Sequence, residues 1–221
     1  MFRAALFDLD GVIIDTEGQY YRFWDSIGKE FFPEIKDFAN RIKGNTLTAI
    51  LTHYFDGKET LAEEVKQRLL AFEDAMTYTI FPGVEEFLSK IHAAGIPCAI
   101  VTSSNRDKMA SLTKQLPALP QLFDRIFTAE DAGRGKPFPD CYCNAAEHMG
   151  TIPEECVVFE DSVNGLMAGH DSGAFVVGLT TTNPHDIVSQ WADIICDGLN
   201  NCPLEAIEQA MDRRRTIDPA L

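Results

Sequence analysis

The chain has 221 residues, 45% of them hydrophobic and 24% charged, which is ordinary for a globular protein and excludes wholesale disorder. Nineteen Lys and Arg against thirty-four Asp and Glu leave a net charge of −15, so nucleic acid and anionic lipid are repelled unless a local basic patch exists. The dense basic run Arg213-Arg214-Arg215 follows the apolar pattern of Leu204, Ile207, Ala210 and Met211, and it reads as the solvated last turn of a helix. No stretch approaches the roughly eighteen consecutive apolar residues of a membrane span. The N-terminal segment through Asp15 carries acids where a signal peptide needs an unbroken apolar run. The six cysteines form no Cys-x-x-Cys pair and read as reduced packing residues of a cytosolic protein.

In chain order, Ala4 to Leu9 is a buried strand that runs into acids and a glycine. From Thr16 to Phe81 no strand is expected. Tyr20, Phe23, Trp24 and Ile27 make one helical apolar stripe, and Leu61, Val65, Leu69, Phe72 and Met76 make another. Val84, Phe87, Leu88 and Ile91 predict a helix stopped by Gly95. Further strands are expected at Ile96 to Thr102, Arg125 to Thr128, Cys156 to Glu160, Phe175 to Leu179 and Asp193 to Cys196. Helices are expected at Cys141 to Met149 and Asn164 to Asp171. Strands alternating with helices imply an α/β fold with a doubly wound parallel sheet, built from residues 1–15 and 82–221. Residues 16–81 would be an inserted all-helical domain. Asp15-Thr16 and Phe81-Pro82-Gly83 are the expected hinges, with Gly83 absorbing the φ/ψ change, so that Gly83→Pro is expected to lower kcat more than stability.

Ligands of such a sheet bind at the carboxyl ends of its strands. There the sequence places Asp8-Leu9-Asp10-Gly11-Val12, Thr102-Ser103-Ser104-Asn105, Gly135-Lys136-Pro137 and Glu160-Asp161-Ser162. Alternate residues of an extended chain point the same way, so Asp8 and Asp10 can address one substrate from two positions. One carboxylate can attack phosphorus, while a second protonates the leaving oxygen and later activates water. Crowded carboxylates need a cation, and Mg²⁺ is the hard ion that pairs carboxylates with phosphate; Asp8 and Asp161 are its natural side-chain ligands. Lys136 and Thr102 would hold non-bridging phosphate oxygens. Taken singly, an Asp-x-Asp is a solvated loop, Gly-Lys-Pro a turn, and Glu-Asp-Ser a helix N-cap. Their joint placement at strand ends points to phosphoryl transfer.

With Val101 and Phe159 leading them and Gly165 closing the last, these four segments resemble the four motifs of the haloacid dehalogenase superfamily over essentially the whole chain. The inserted helices resemble the C1-type helical cap of its β-phosphoglucomutase-like subfamily, and Asp15-Thr16 fits the same subfamily. The resemblance implies a Rossmann-like core in which Asp8 is the nucleophile and Asp10 the general acid/base. It implies that Thr102, Ser103 and Lys136 bind the phosphoryl group. Mg²⁺ would be held by Asp8, the backbone carbonyl of Asp10, and Asp161, with Glu160 assisting directly or through water. The implied partner is a small phosphorylated metabolite, a sugar or polyol phosphate, met in the cytoplasm by a monomer or weak homodimer with no nucleic-acid or membrane partner.

Asp10 separates the chain from the dehalogenases, which lack an acid there, and from the ATPase pumps, which have threonine. β-Phosphoglucomutases carry a histidine where Tyr20 stands, an arginine after the Lys-Gly of the cap loop, and a lysine late in the cap. Here Lys43-Gly44 is followed by Asn45-Thr46-Leu47-Thr48, and no lysine occurs between Lys66 and Lys90. A Mg²⁺-dependent phosphatase is therefore expected, with a phosphomutase as the alternative and a noncatalytic module keeping the fold as a reading of another class. Lys43, Gly44, Asn45 and Arg41 are candidate cap contacts with an anionic substrate; solvated surface charge is the competing reading for Lys43 and Arg41. His53 and Tyr54 read as cap packing. Arg106 either approaches the substrate or faces water in the first turn of its helix.

Overall fold

The computed structural model describes residues 1–43 and 45–217. Gly44 therefore lies outside the described residues, as does the side chain of Arg215. Strands β1 (Ala4–Phe7), β2 (Cys98–Val101), β3 (Arg125–Phe127), β4 (Cys156–Glu160), β5 (Phe175–Leu179) and β6 (Ile194–Cys196) form one parallel sheet. Its order is β3-β2-β1-β4-β5-β6, so the winding reverses between β1 and β4. Every predicted strand is present, trimmed by at most two residues at an end.

These short runs form strands because they are buried on both faces, as parallel strands covered by helices must be. Alternation divides β1 between the layers. Ala5 and Phe7 join the cluster of α5 (Val84–Ala93), α6 (Arg106–Gln115) and α10 (Leu204–Ile217), whereas Ala4 and Leu6 join that of α7 (Asp140–His148) and α8 (Val163–Asp171). Phe7 and Phe159 are register partners, and their rings stack 4.4 Å apart. That contact locks the ends of β1 and β4 side by side, directly beneath the two acidic motifs. Short α9 (His185–Val188) covers β5 through Val188.

The first four helices after β1 form a helical cap: α1 (Glu17–Phe31), α2 (Phe38–Ile42), α3 (Leu47–Tyr54) and α4 (Glu59–Ala75). They bury a core of their own around Trp24, Ile27, Phe38, Ile42, Val65 and Leu69. The chain leaves and returns through paired backbone: the Asp15 amide donates to Thr79 at 2.8 Å and the Phe81 amide to Ile13 at 2.9 Å.

Several expectations change in the folded chain. Met76 lies past the end of α4 and packs with the sheet cluster, not the cap cluster. His53 is exposed against the ring of Tyr54, which alone of the two packs inward, on Phe32 and Phe38. Arg213 is exposed, but Arg214 reaches Asp193 and the Ala174 carbonyl at 2.9 Å each, tying α10 to the start of β5. Gly83 has φ 84°, and a Cβ there would stand 2.6 Å from the Cβ of Asn200. Proline, whose ring fixes φ near about −65°, would break this turn instead of stiffening a hinge. Gly83→Pro is thus expected to fail in folding, and it does not probe cap motion. The six cysteines are unbridged and all but Cys143 are buried. Among the described residues, no helix is long and apolar enough to cross a membrane.

Candidate active site

A cavity of about 520 Å³ opens between the cap and the carboxyl ends of the central strands. Asp8, Asp10, Thr102, Ser103 and Lys136 line its floor, and Lys43 and Asn45 line its cap side. Glu160 and Asp161 lie beneath the floor, at 0% and 1% exposure. The sheet explains the convergence. The Asp8 amide donates to the Phe159 carbonyl at 3.0 Å, so the residues that follow β1 and β4 emerge as neighbours, and Thr102 emerges on the other flank from β2.

Lys136 is the centre of the floor. Its buried ammonium donates to Asp8 Oδ1 at 2.7 Å, to Glu160 Oε1 at 2.6 Å and to the Val101 carbonyl at 3.1 Å. Burial works against its charge, but the Asp8 and Glu160 carboxylates outweigh burial and hold Lys136 well above its ordinary pKa. Burial likewise pushes Asp8 up to about 7; Lys136 opposes this, while the charges of Glu160 and Asp10 add to it.

Glu160 is saturated with donors. Tyr142 joins Lys136 on Oε1 at 2.9 Å. Oε2 accepts from the Asp161 amide at 3.0 Å, the Ser162 amide at 3.1 Å and the Ser162 hydroxyl at 3.1 Å. Ser162 is also the N-cap of α8, accepting from the Gly165 amide at 3.1 Å. Any Cβ at position 165 would stand 1.7 Å from Glu160 Oε1, which is why the last motif closes on glycine.

Asp161 is the opposite case. Both its carboxylate oxygens are buried and, among the described residues, have no hydrogen-bond partner. Burial, then the charges of Glu160 and Asp8, hold it well above the usual carboxylate range, with the nearby Thr182 hydroxyl opposing. Its carboxylate fills the space a Cβ of residue 11 would need, 2.0 Å away, so Gly11 is required by close approach as well as by φ 84°. Asp8, Glu160 and Asp161 each offer an oxygen within 4.8 Å of the others. An unpartnered buried carboxylate in an all-oxygen acidic group fits a hard divalent cation, and this cluster is a candidate metal site.

Asp10, at the cavity floor, is held by three donors. Thr16 Oγ1 donates to Oδ1, Ser104 Oγ to Oδ2 at 3.0 Å, and the Lys108 ammonium reaches both oxygens at 2.6 and 2.5 Å. Lys108, 2% exposed on α6, was not picked out from sequence, nor were Ser104, Tyr142 and Glu73 as site residues. Arg106 faces water and pairs with Asp131 at 3.0 Å. Arg41 is exposed, donates to the Lys36 carbonyl at 3.1 Å, and does not line the cavity. Lys43 is not a free surface charge: it is partly buried, pairs with Glu17 at 3.1 Å and reaches the Thr182 carbonyl at 3.3 Å, latching the cap loop to the core.

A sheet switch point floored by carboxylates, a lysine and a hydroxyl, and roofed by an inserted helical cap, defines the class: the chain belongs to the haloacid dehalogenase-like hydrolases, and it is an enzyme of their phosphatase group. Residues 2–173 match the family described as haloacid dehalogenase-like hydrolase. Among curated relatives, the chain is 31% identical over 211 residues to validoxylamine A 7'-phosphate phosphatase of Streptomyces hygroscopicus subsp. limoneus, covering 90% of this chain and 95% of that protein. It is 34% identical over 186 residues to hexitol phosphatase A of Escherichia coli, covering 80% and 82%. A β-phosphoglucomutase from Clostridium difficile shares the fold with a TM-score of 0.79 at 23% identity, covering 98% of this chain and all of that one, 100%.

Proposed function

We propose that the protein is a Mg²⁺-dependent phosphatase that hydrolyses a small phosphate monoester of a sugar or polyol through an aspartyl phosphate at Asp8. The observation that carries this reading is the unpartnered, buried carboxylate of Asp161 next to an Asp8 already bridged to Lys136. Relatives that act on hexitol and validoxylamine phosphates support the substrate class.

Asp8 and Asp161 would hold the ion with the Asp10 backbone carbonyl, and Glu160, whose oxygens are already engaged, would add charge or act through water. The bound ion supplies positive charge that draws the phosphoryl group to the carboxylates. Lys136 fixes the Asp8 carboxylate for attack on phosphorus and adds its positive charge beside the phosphoryl oxygens, to which Thr102 and Ser103 offer donors. Asp10 enters the cycle protonated, with the Thr16 or Ser104 hydroxyl turned to accept from it, and gives that proton to the departing alkoxide as the P–O bond breaks. It then takes a proton from the water that attacks the aspartyl phosphate, and Asp8 leaves as a carboxylate. Thr16, Ser104 and Lys108 orient Asp10 for both transfers. We take residues 16–81 as the cap and 1–15 with 82–221 as the core, since the paired backbone at Asp15 and Phe81 is where the chain crosses.

A mutase would have to hold a second phosphate against the cap. Glu17 and Glu73 stand there against Lys66, and Lys43 is already paired, which favours hydrolysis. The test is phosphate release from a panel of sugar and polyol phosphates with Mg²⁺, then with EDTA. Release that stops in EDTA is expected. With β-glucose 1-phosphate and a trace of its 1,6-bisphosphate, faster formation of glucose 6-phosphate than of free phosphate would overturn the choice of hydrolysis.

A further inference from the structure

The phosphoryl chemistry leaves one half of the cavity unused. Its cap wall carries Glu73, near the end of α4 and only 6% exposed. Glu73 Oε1 accepts from the Tyr20 hydroxyl at 2.7 Å. Oε2 is buried and, among the described residues, has no hydrogen-bond partner. Neither end of this contact is loose. The Tyr20 ring packs edge-on against Phe72 and sits under the Lys108 ammonium at 4.5 Å. The Tyr78 hydroxyl donates to the Glu73 carbonyl at 3.0 Å. A fixed, buried acceptor without a donor is costly, and a ligand that brings a donor removes that cost.

The surroundings decide which donor. A second phosphate would meet the charges of Glu73 and Glu17 with Lys43 already engaged. An ammonium group would meet Lys108, whose charge acts on Glu73. Of the other cap-side residues that reach the cavity, Lys66 carries charge but is half in solvent and 4.0 Å from Glu63, while Asn40, Asn45 and Thr46 are neutral and hydrogen-bonding. A neutral group bearing several hydroxyls suits this wall. Burial raises Glu73 above the ordinary carboxylate range, with Lys108 and Tyr20 opposing; a hydroxyl serves either form, because it both donates and accepts.

We propose that Glu73 is a specificity-determining residue of the cap: its Oε2 takes a hydrogen bond from a hydroxyl of the leaving group, selecting polyhydroxylated phosphate monoesters over hydroxyl-free ones. The proposal rests on the phosphatase reading. Its readout is the ratio of kcat/KM for the best of a hexitol, a pentitol and a hexose phosphate to kcat/KM for n-hexyl phosphate. In the wild type the ratio stands well above one. Glu73→Leu, which fills the space but accepts nothing, lowers it by about tenfold or more, mainly through KM of the polyhydroxylated ester. Glu73→Gln, which keeps an oxygen, recovers most of it, and Tyr20→Phe falls between. A wild-type ratio near one overturns the proposal whether or not any variant folds. So does a Glu73→Leu protein in which both esters lose activity in proportion, which is the mark of a merely structural role. Absence of phosphate release from every ester by the wild type with Mg²⁺ would instead overturn the phosphatase reading.

Discussion

Above the open carboxylate of Asp161, the core wall of the cavity closes its charges on one another, whereas the cap wall leaves one of its own open to the cavity. On the core side Lys136 bridges Asp8 and Glu160, and Tyr142 and two backbone amides fill the rest of Glu160. On the cap side Glu17 and Lys43 form a pair at 29% and 20% side-chain exposure, and Glu73 keeps an oxygen free. The core wall descends directly from strand ends held by sheet register. The cap wall is assembled from helices whose own core, around Trp24 and Val65, is separate. Chemistry is therefore built where the backbone is most constrained, and substrate selection where it can vary without disturbing the sheet.

The comparison is broken most severely at the core wall. Asp8→Asn is expected to reduce turnover by roughly 10⁴-fold or more, the scale seen when a nucleophile is removed. The melting temperature should not fall, because a neutral amide replaces a carboxylate that burial disfavours. Lys136→Ala should cost about 3–5 kcal/mol of stability together with activity, since it leaves two buried carboxylates without their shared cation. Urea denaturation of the two variants separates these outcomes.

The raised carboxylates give a pH test with a definite sign. Asp8 is raised to about 7 and Asp161 is raised as well, so the folded chain holds protons that the unfolded chain, near about pKa 4, has lost. Their contribution to stability is full below the unfolded value and is lost as pH rises toward 7. In EDTA the melting temperature should fall between pH 5 and pH 7 through these two groups. Mg²⁺ should raise it most at the upper end, by binding the ionised folded form. Asp161→Asn should flatten the slope and abolish the Mg²⁺ shift. A metal shift that survives in Asp161→Asn would remove that residue from the cation site.

The smallest effect belongs to the cap latch. Lys43→Ala should cost less than about 1 kcal/mol, because its pair with Glu17 is partly solvated. It should raise KM several-fold with little change in kcat, which steady-state kinetics on a good substrate would resolve. A large loss of kcat would place Lys43 on the chemistry of the core wall.

Most of the core wall was legible in sequence because Asp8, Thr102 and Asp161 each directly follow a strand, and strand ends in a parallel sheet share one edge. Lys136 stands beyond the turn after β3, just before α7, and was marked by its Gly-Lys-Pro setting in the same joint pattern. The second support layer was not legible. Lys108 reads as a solvated helical lysine until it is set beside Leu112, four residues on, the fully buried position of α6. Glu73 follows Val65 and Leu69 at the same spacing, an acid at the end of an apolar stripe. Tyr142 shares a face with Ala145 and Ala146. A charged or hydroxyl-bearing residue on the buried stripe of a helix is the signal that marks such residues, but its partner is fixed only by tertiary contact. The resemblance of Tyr20 to a histidine position likewise identified a substitution without its consequence, the hydrogen bond to Glu73.

Trapping the covalent intermediate tests the role of Asp8 most directly. The Mg²⁺-loaded enzyme, turning over an aryl phosphate, is quenched and reduced with borohydride, and its peptides are mapped by mass spectrometry. An aspartyl phosphate is reduced to homoserine, so homoserine at position 8 is the predicted result, absent from a control without substrate. Phosphate release with position 8 unmodified, or reduction at another carboxylate such as Asp10 or Asp161, would contradict it.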